Sequence, residues 1–124
     1  MRISEKKRVE GPVARFADAS GILRLKVNVM GNRGWPDHFF FFPVEAGGLL
    51  VIEFKAPGEE PEPLQLDKIR KLRKRGYDVH VVDSKEEGIR LLKARMEAAK
   101  GAAGGDQVHG VEPVRAAVGR PRRR

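Results

Sequence analysis

Residues 37–55 read DHFFFFPVEAGGLLVIEFK. Two apolar runs, His38 to Phe42 and Leu49 to Lys55, flank Pro43-Val44-Glu45-Ala46-Gly47-Gly48, which predicts an antiparallel hairpin with a Gly-Gly turn. Both runs are expected to be central strands. Side chains alternate along a strand, so Glu53 and Lys55 project from one face while Phe54 points the other way into packing. With the turn near Gly47-Gly48, Asp37 and Glu53 come to lie across from each other at one edge of the sheet.

Upstream, Ser4 to Ala19 places Val9, Val13, Phe16 and Ala17 on one apolar helical face. Gly11-Pro12 interrupts that face, so the helix either starts near Pro12 or is kinked there. Ile22 to Val29 alternates as a half-buried strand, and Met30 to Pro36 is a loop rich in turn formers. Downstream, Ala56 to Pro63 is a proline- and glutamate-rich connection. Leu64 to Arg75 then has helical spacing and stops at Gly76. Tyr77 to Val82 is a further strand, and Ser84-Lys85-Glu86-Glu87 has capping-box spacing for a last helix carrying Ile89, Leu92 and Met96. The expected architecture is α/β in the order α-β-β-β-α-β-α, a mixed central sheet flanked by helices.

The 124 residues suit one domain with one core. We place it at residues 1–97, with 98–124 as a flexible basic tail. The net charge of +8 points to an anionic partner, although half of it lies in that tail, where Lys100, Arg115, Arg120, Arg122, Arg123 and Arg124 face Asp106 and Glu112. There is no cysteine, which excludes disulfides and thiolate-ligated metals, and His38, His80 and His109 are too scattered for a zinc motif. The N-terminus lacks an apolar leader and no run is long enough to span a bilayer, so a cytoplasmic location is expected.

Asp37, Glu53 and Lys55 carry the chemistry. Two facing carboxylates repel, and a hard cation such as Mg²⁺ relieves that repulsion while leaving positions for water and phosphate oxygens. A lysine beside it can orient or deprotonate a water and offset charge developing on a phosphoryl group. The bland alternatives are a turn aspartate after Pro36 and a cross-strand Glu53–Lys55 ion pair on a solvated face. The basic helix carrying Lys68, Lys71 and Arg75 reads either as a DNA-contacting or as a solvated face, and Arg33 in the loop and Lys26 on the first strand are further candidate nucleic-acid contacts. Trp35 suits packing under the loop and touching a base equally well. His38 and His80 are read as structural.

Gly34-Trp35-Pro36-Asp37, then Val51-Ile52-Glu53-Phe54-Lys55, then Gln65 opening a helix, then Gly76-Tyr77-Asp78-Val79-His80-Val81-Val82, resembles the VRR-NUC branch of the PD-(D/E)xK nucleases. The resemblance runs from about Glu10 to about Leu92. It implies a restriction-endonuclease-like core in which Asp37 and Glu53 bind Mg²⁺ or Mn²⁺ with the main-chain carbonyl of Phe54, and Lys55 is the catalytic lysine. It further implies that Gln65 supports the site from its helix, that Glu10 lies near the metal, and that Lys26 is a basic position on the first strand. The chain looks like the stand-alone members from phages and bacteria, which resemble Holliday-junction resolvases and act as homodimers, and the resemblance implies a homodimer in the cytoplasm of a bacterial or phage-infected host cell.

The expected function is metal-dependent endonucleolytic cleavage of branched or flap-like DNA by a homodimer, leaving 5′-phosphates. Two other classes compete with it. A non-catalytic nucleic-acid-binding module would keep the fold without turnover, and a structural subunit using its basic helix on a protein would show no salt-dependent affinity for DNA.

Overall fold

A computed structural model describes residues 4–28 and 34–106. Helix α1 (Glu5–Ala19) leads into strand β1 (Leu23–Lys26), followed by β2 (His38–Phe41), a single 3-10 turn at Val44–Ala46, and β3 (Leu49–Phe54). Helix α2 (Pro63–Lys74), strand β4 (Asp78–Val82) and helix α3 (Lys85–Asp106) complete the chain. The order of elements is the one the sequence predicts. The sheet runs β1-β2-β3-β4, with β1, β2 and β3 antiparallel and β4 parallel to β3 across the α2 crossover.

Local chemistry sets the boundaries. The Ser4 hydroxyl accepts the Lys7 N–H at 3.1 Å and the Ser84 hydroxyl accepts the Glu87 N–H at 3.2 Å, each starting a helix. Pro12 neither starts nor interrupts α1, which is continuous through it. The one N–H that Pro12 withdraws would have served the carbonyl of Arg8, an exposed residue that water can satisfy. The hairpin is longer than a two-residue turn. The 3-10 turn ends on Gly47 at φ +101° and Gly48 at φ +67°, and Phe42 donates to the Gly48 carbonyl at 3.1 Å.

Two clusters of apolar side chains fix which helix covers which face. On one face Val9, Val13 and Ala17 of α1 and Leu92 of α3 close over Phe40, Leu50, Ile52, Phe54 and Val82. Gly88 lets α1 and α3 approach: a Cβ there would stand 2.6 Å from Cγ2 of Val13. On the other face Ile69 of α2 packs on Val51 and Val79, so α2 covers only the β3–β4 half.

That half-coverage changes the reading of β1. It is a four-residue edge strand rather than a half-buried one, with Leu23 69% and Leu25 49% exposed, because among the described residues no helix lies over its apolar side. Helix α3 also continues past Ala98, where the apolar spacing fades, to Asp106. Residues 98–105 hold four alanines, the strongest helix formers, against three glycines. The Arg-rich end of the tail and Arg33 lie outside the described residues.

Candidate active site

The hairpin register assembles the site. It pairs His38 with Ile52 and Phe39 with Val51, so one step further Asp37 faces Glu53. Glu53 is 2% and Lys55 6% exposed, which removes the reading of a solvated cross-strand pair. Their charged groups lie 3.7 Å apart, between Lys55 Nζ and Glu53 Oε2. Burial and the facing Asp37 push the Glu53 carboxyl up to about 7, against the pull of Lys6 and Lys55. Asp37 Oδ1 is buried with no protein partner, while Oδ2 lies 3.6 Å from the Lys6 ammonium.

Gln65 holds Glu53 in place from the start of α2. Its Oε1 accepts the Glu62 N–H at 2.9 Å, part of the helix cap, and its Nε2 donates to Glu53 Oε2 at 2.8 Å. Because the cap occupies the oxygen, the amide can only turn its nitrogen toward the carboxylate.

Proline at position 36 has a consequence one strand away. Phe42 and Gly48 form a hydrogen-bonded pair, and antiparallel pairs alternate, so the register brings Pro36 to the hydrogen-bonding position opposite Phe54. A proline has no N–H, and the Phe54 carbonyl receives no ladder bond from it. The other side of the strand is spent on β4, where Lys55 donates to Val82 at 2.9 Å. Pro36-Asp37 thus supplies a carboxylate and frees a carbonyl at the same edge.

Beside this pair, on the α1 face, Glu10 is 6% exposed and takes a 2.6 Å bond from Lys26. Burial works to raise Glu10, but the Lys26 hydrogen bond and charge outweigh it and hold the carboxyl below its ordinary value. His38 is fully buried, stacked on Phe40 and edge-on to Phe54. Burial pushes its pKa down despite Glu10 and Asp37, so it is neutral near pH 7. Arg24 can only donate at 3.3 Å to His38 Nε2, which leaves the ring proton on Nδ1, toward Glu10 Oε2 at 3.9 Å. Among the described residues no three His, Asp or Glu side chains form a cation cage by themselves, so Glu10 does not close a third carboxylate onto Asp37 and Glu53.

No protein-family model matches the chain. It is 33% identical over 86 residues to "Putative nuclease p44" of Acyrthosiphon pisum secondary endosymbiont phage 1, across 69% of this chain and 90% of the phage protein. The fold matches a solved VRR-NUC domain with a TM-score of 0.63 and 28% identity, over 73% of this chain and 97% of that one. The chain belongs to the VRR-NUC nuclease family.

Within this VRR-NUC fold, the residues singled out from sequence fall into three groups. Asp37, Glu53, the Phe54 carbonyl, Lys55 and Gln65 converge. Glu10 and Lys26 pair with each other next to them. Lys68, Lys71 and Arg75 line a separate groove on α2, together with Trp35. Lys6 escaped the sequence reading, although it stands one helical turn before Glu10 and so shares its face.

Proposed function

We propose that this VRR-NUC chain is a Mg²⁺- or Mn²⁺-dependent endonuclease that hydrolyses phosphodiester bonds in branched or flap-like DNA, and that it acts as a homodimer. The observation that carries the reading is the buried Asp37–Glu53 pair with Lys55 beside it. An orphaned Asp37 oxygen, a Glu53 carboxyl whose ionisation burial and Asp37 oppose, and a carbonyl without a ladder partner leave donor capacity that the Lys6 and Lys55 ammoniums, at 3.6 and 3.7 Å, do not fill. Two carboxylates and a carbonyl fit a small hard cation, which keeps water and substrate oxygens in its remaining positions.

Asp37, Glu53 and the Phe54 carbonyl would hold the ion. When bound, it supplies Lewis-acid polarisation of the scissile phosphodiester. Lys55, fixed in a buried position on the same face, orients the attacking water and offsets negative charge gathering on the phosphoryl oxygens. Gln65 positions Glu53 through the helix cap. Lys6 and Lys26 temper the carboxylates of Asp37 and Glu10 as a polyanion approaches, while Glu10 adds charge beside the ligands.

The dimer is supported by the uncovered half of the sheet. Leu23, Leu25 and Phe41 present 69%, 49% and 41% of their surface on one face beside an open edge strand. Among the described residues no helix is long and apolar enough to cross a membrane, so this patch is not part of a spanning helix. Cleavage of labelled four-way junction, flap and linear duplex in Mg²⁺, Mn²⁺ and EDTA tests the reading. Metal-dependent cutting that favours the branched forms supports it, and salt-dependent binding without cutting in either metal would replace it with a non-catalytic module.

A further inference from the structure

Trp35 is the chain's one tryptophan, and it is 38% exposed two residues before Asp37. The residue before it lies against α2. Gly34, at φ +95°, lies so close to the first turn of α2 that a Cβ would stand 2.8 Å from the Leu64 carbonyl oxygen. One helical turn on, the Lys68 ammonium sits 5.1 Å from the centre of the indole ring. Trp35, Lys68, Lys71, Leu72 and Arg75 enclose a groove of about 340 Å³. Its lining joins apolar surface, from the indole and Leu72, to three cations. Lys71 is bridged to Asp67 at 2.9 Å, and Arg75 donates to the Lys71 carbonyl at 2.9 Å, which ties two of them together along the helix.

We propose that this groove binds one unpaired nucleotide of the substrate, its base stacked on Trp35 and its phosphate held by Lys71 and Arg75. This rests on the nuclease reading and adds to it how the enzyme would select a distorted strand. An aromatic ring beside cations matches the two halves of a nucleotide, a flat base and an anionic phosphate. Stacking needs a base with a free face, which the interior of a duplex does not offer and a flap, junction or frayed end does. Two residues of chain span at most about 7 Å, so the Trp35 and Asp37 backbones lie within about one nucleotide's reach of each other. A base on Trp35 would then lie close in chain to the phosphate held at Asp37.

Because no other tryptophan contributes, intrinsic fluorescence reports on the groove directly. The full chain is titrated in EDTA, where nothing is cut, with a single-stranded oligonucleotide, a duplex bearing a single-stranded overhang, and a blunt duplex of the same length. Labelled-oligonucleotide anisotropy follows Trp35→Ala, Trp35→Phe and Lys71→Ala/Arg75→Ala. We expect quenching by the first two DNAs and little by the blunt duplex. Single-strand affinity falls roughly 5- to 150-fold in Trp35→Ala and stays within a few-fold in Trp35→Phe. The double charge variant binds more weakly, and its log–log salt slope drops by about 1.4. Equal quenching by blunt duplex, or no effect of either variant on single-strand binding, overturns the proposal. Retained selective quenching without cleavage in any metal would remove the nuclease reading and leave the groove standing.

Discussion

Replacing Glu53 by Gln gives a chain whose metal-free stability depends on pH differently from that of the parent, and the difference follows from the site's geometry. In the folded protein Glu53 protonates at about 7 rather than 4.5, because it is buried and faces Asp37. The folded state therefore binds this proton more tightly than the unfolded chain does. Its contribution is fully favourable below about pH 4.5 and is lost as pH rises through about 7. At about 1.4 kcal/mol per pH unit, the loss between about pH 4 and pH 8 is about 3 kcal/mol. Glutamine has no proton to lose, so Glu53→Gln gains that amount relative to the parent over the same range. In thermal melts with EDTA this opens a difference of roughly 10–20 °C for a domain near this size. Adding Mg²⁺ at high pH then stabilises the parent by about 2.7 kcal/mol at a hundred times its dissociation constant, and the variant far less. A melting difference that is flat from pH 4 to 8 rules this out, since Glu53 would then titrate without feeling its burial or Asp37.

Gln65→Glu places a second carboxylate where an amide now donates at 2.8 Å to Glu53; metal affinity and cleavage should each fall about 10- to 100-fold, checked by calorimetry and a cleavage assay, while circular dichroism stays unchanged. Gly88→Ala drives a methyl to within 2.6 Å of Val13 and should cost about 1–3 kcal/mol in urea unfolding, with Val13→Ala added in the same chain costing less than the two separate losses combined. Leu25→Glu, which puts a charge in the uncovered apolar face, should shift sedimentation from dimer to monomer. A dimer unchanged by it places the interface elsewhere.

Much of this was readable in the chain because the relevant physics is local. Strand alternation alone sets Glu53 and Lys55 on one face. The register that brings Asp37 across from Glu53 comes from the longer connection through the 3-10 turn at Val44–Ala46, not from a two-residue Gly-Gly turn, which would have slipped the pairing. Hydroxyl caps at Ser4 and Ser84 are likewise visible as residue types at fixed spacing. What the sequence hid depends on packing between elements. Nothing in Ile22 to Val29 says that α2 will cover β3 and β4 only, leaving Leu23 and Leu25 in water. The Pro12 interruption is harmless only because the carbonyl it strands belongs to an exposed residue. Trp35 was ambiguous until the crossover set α2 against Gly34, which brings Lys68 over the indole ring. Lys6 shares the helical face of Glu10, yet its 3.6 Å approach to Asp37 follows from how α1 lies on the sheet.

The central claim is that Asp37, Glu53 and Lys55 form one catalytic unit around a divalent cation. Single-turnover cleavage of a labelled branched DNA, run in Mg²⁺ and in EDTA with the parent and with Lys55→Ala, tests it most directly. Cutting by the parent is expected in Mg²⁺ alone, and loss of that cutting in Lys55→Ala with DNA binding retained. Undiminished cutting by Lys55→Ala, or cutting by the parent in EDTA, would contradict it.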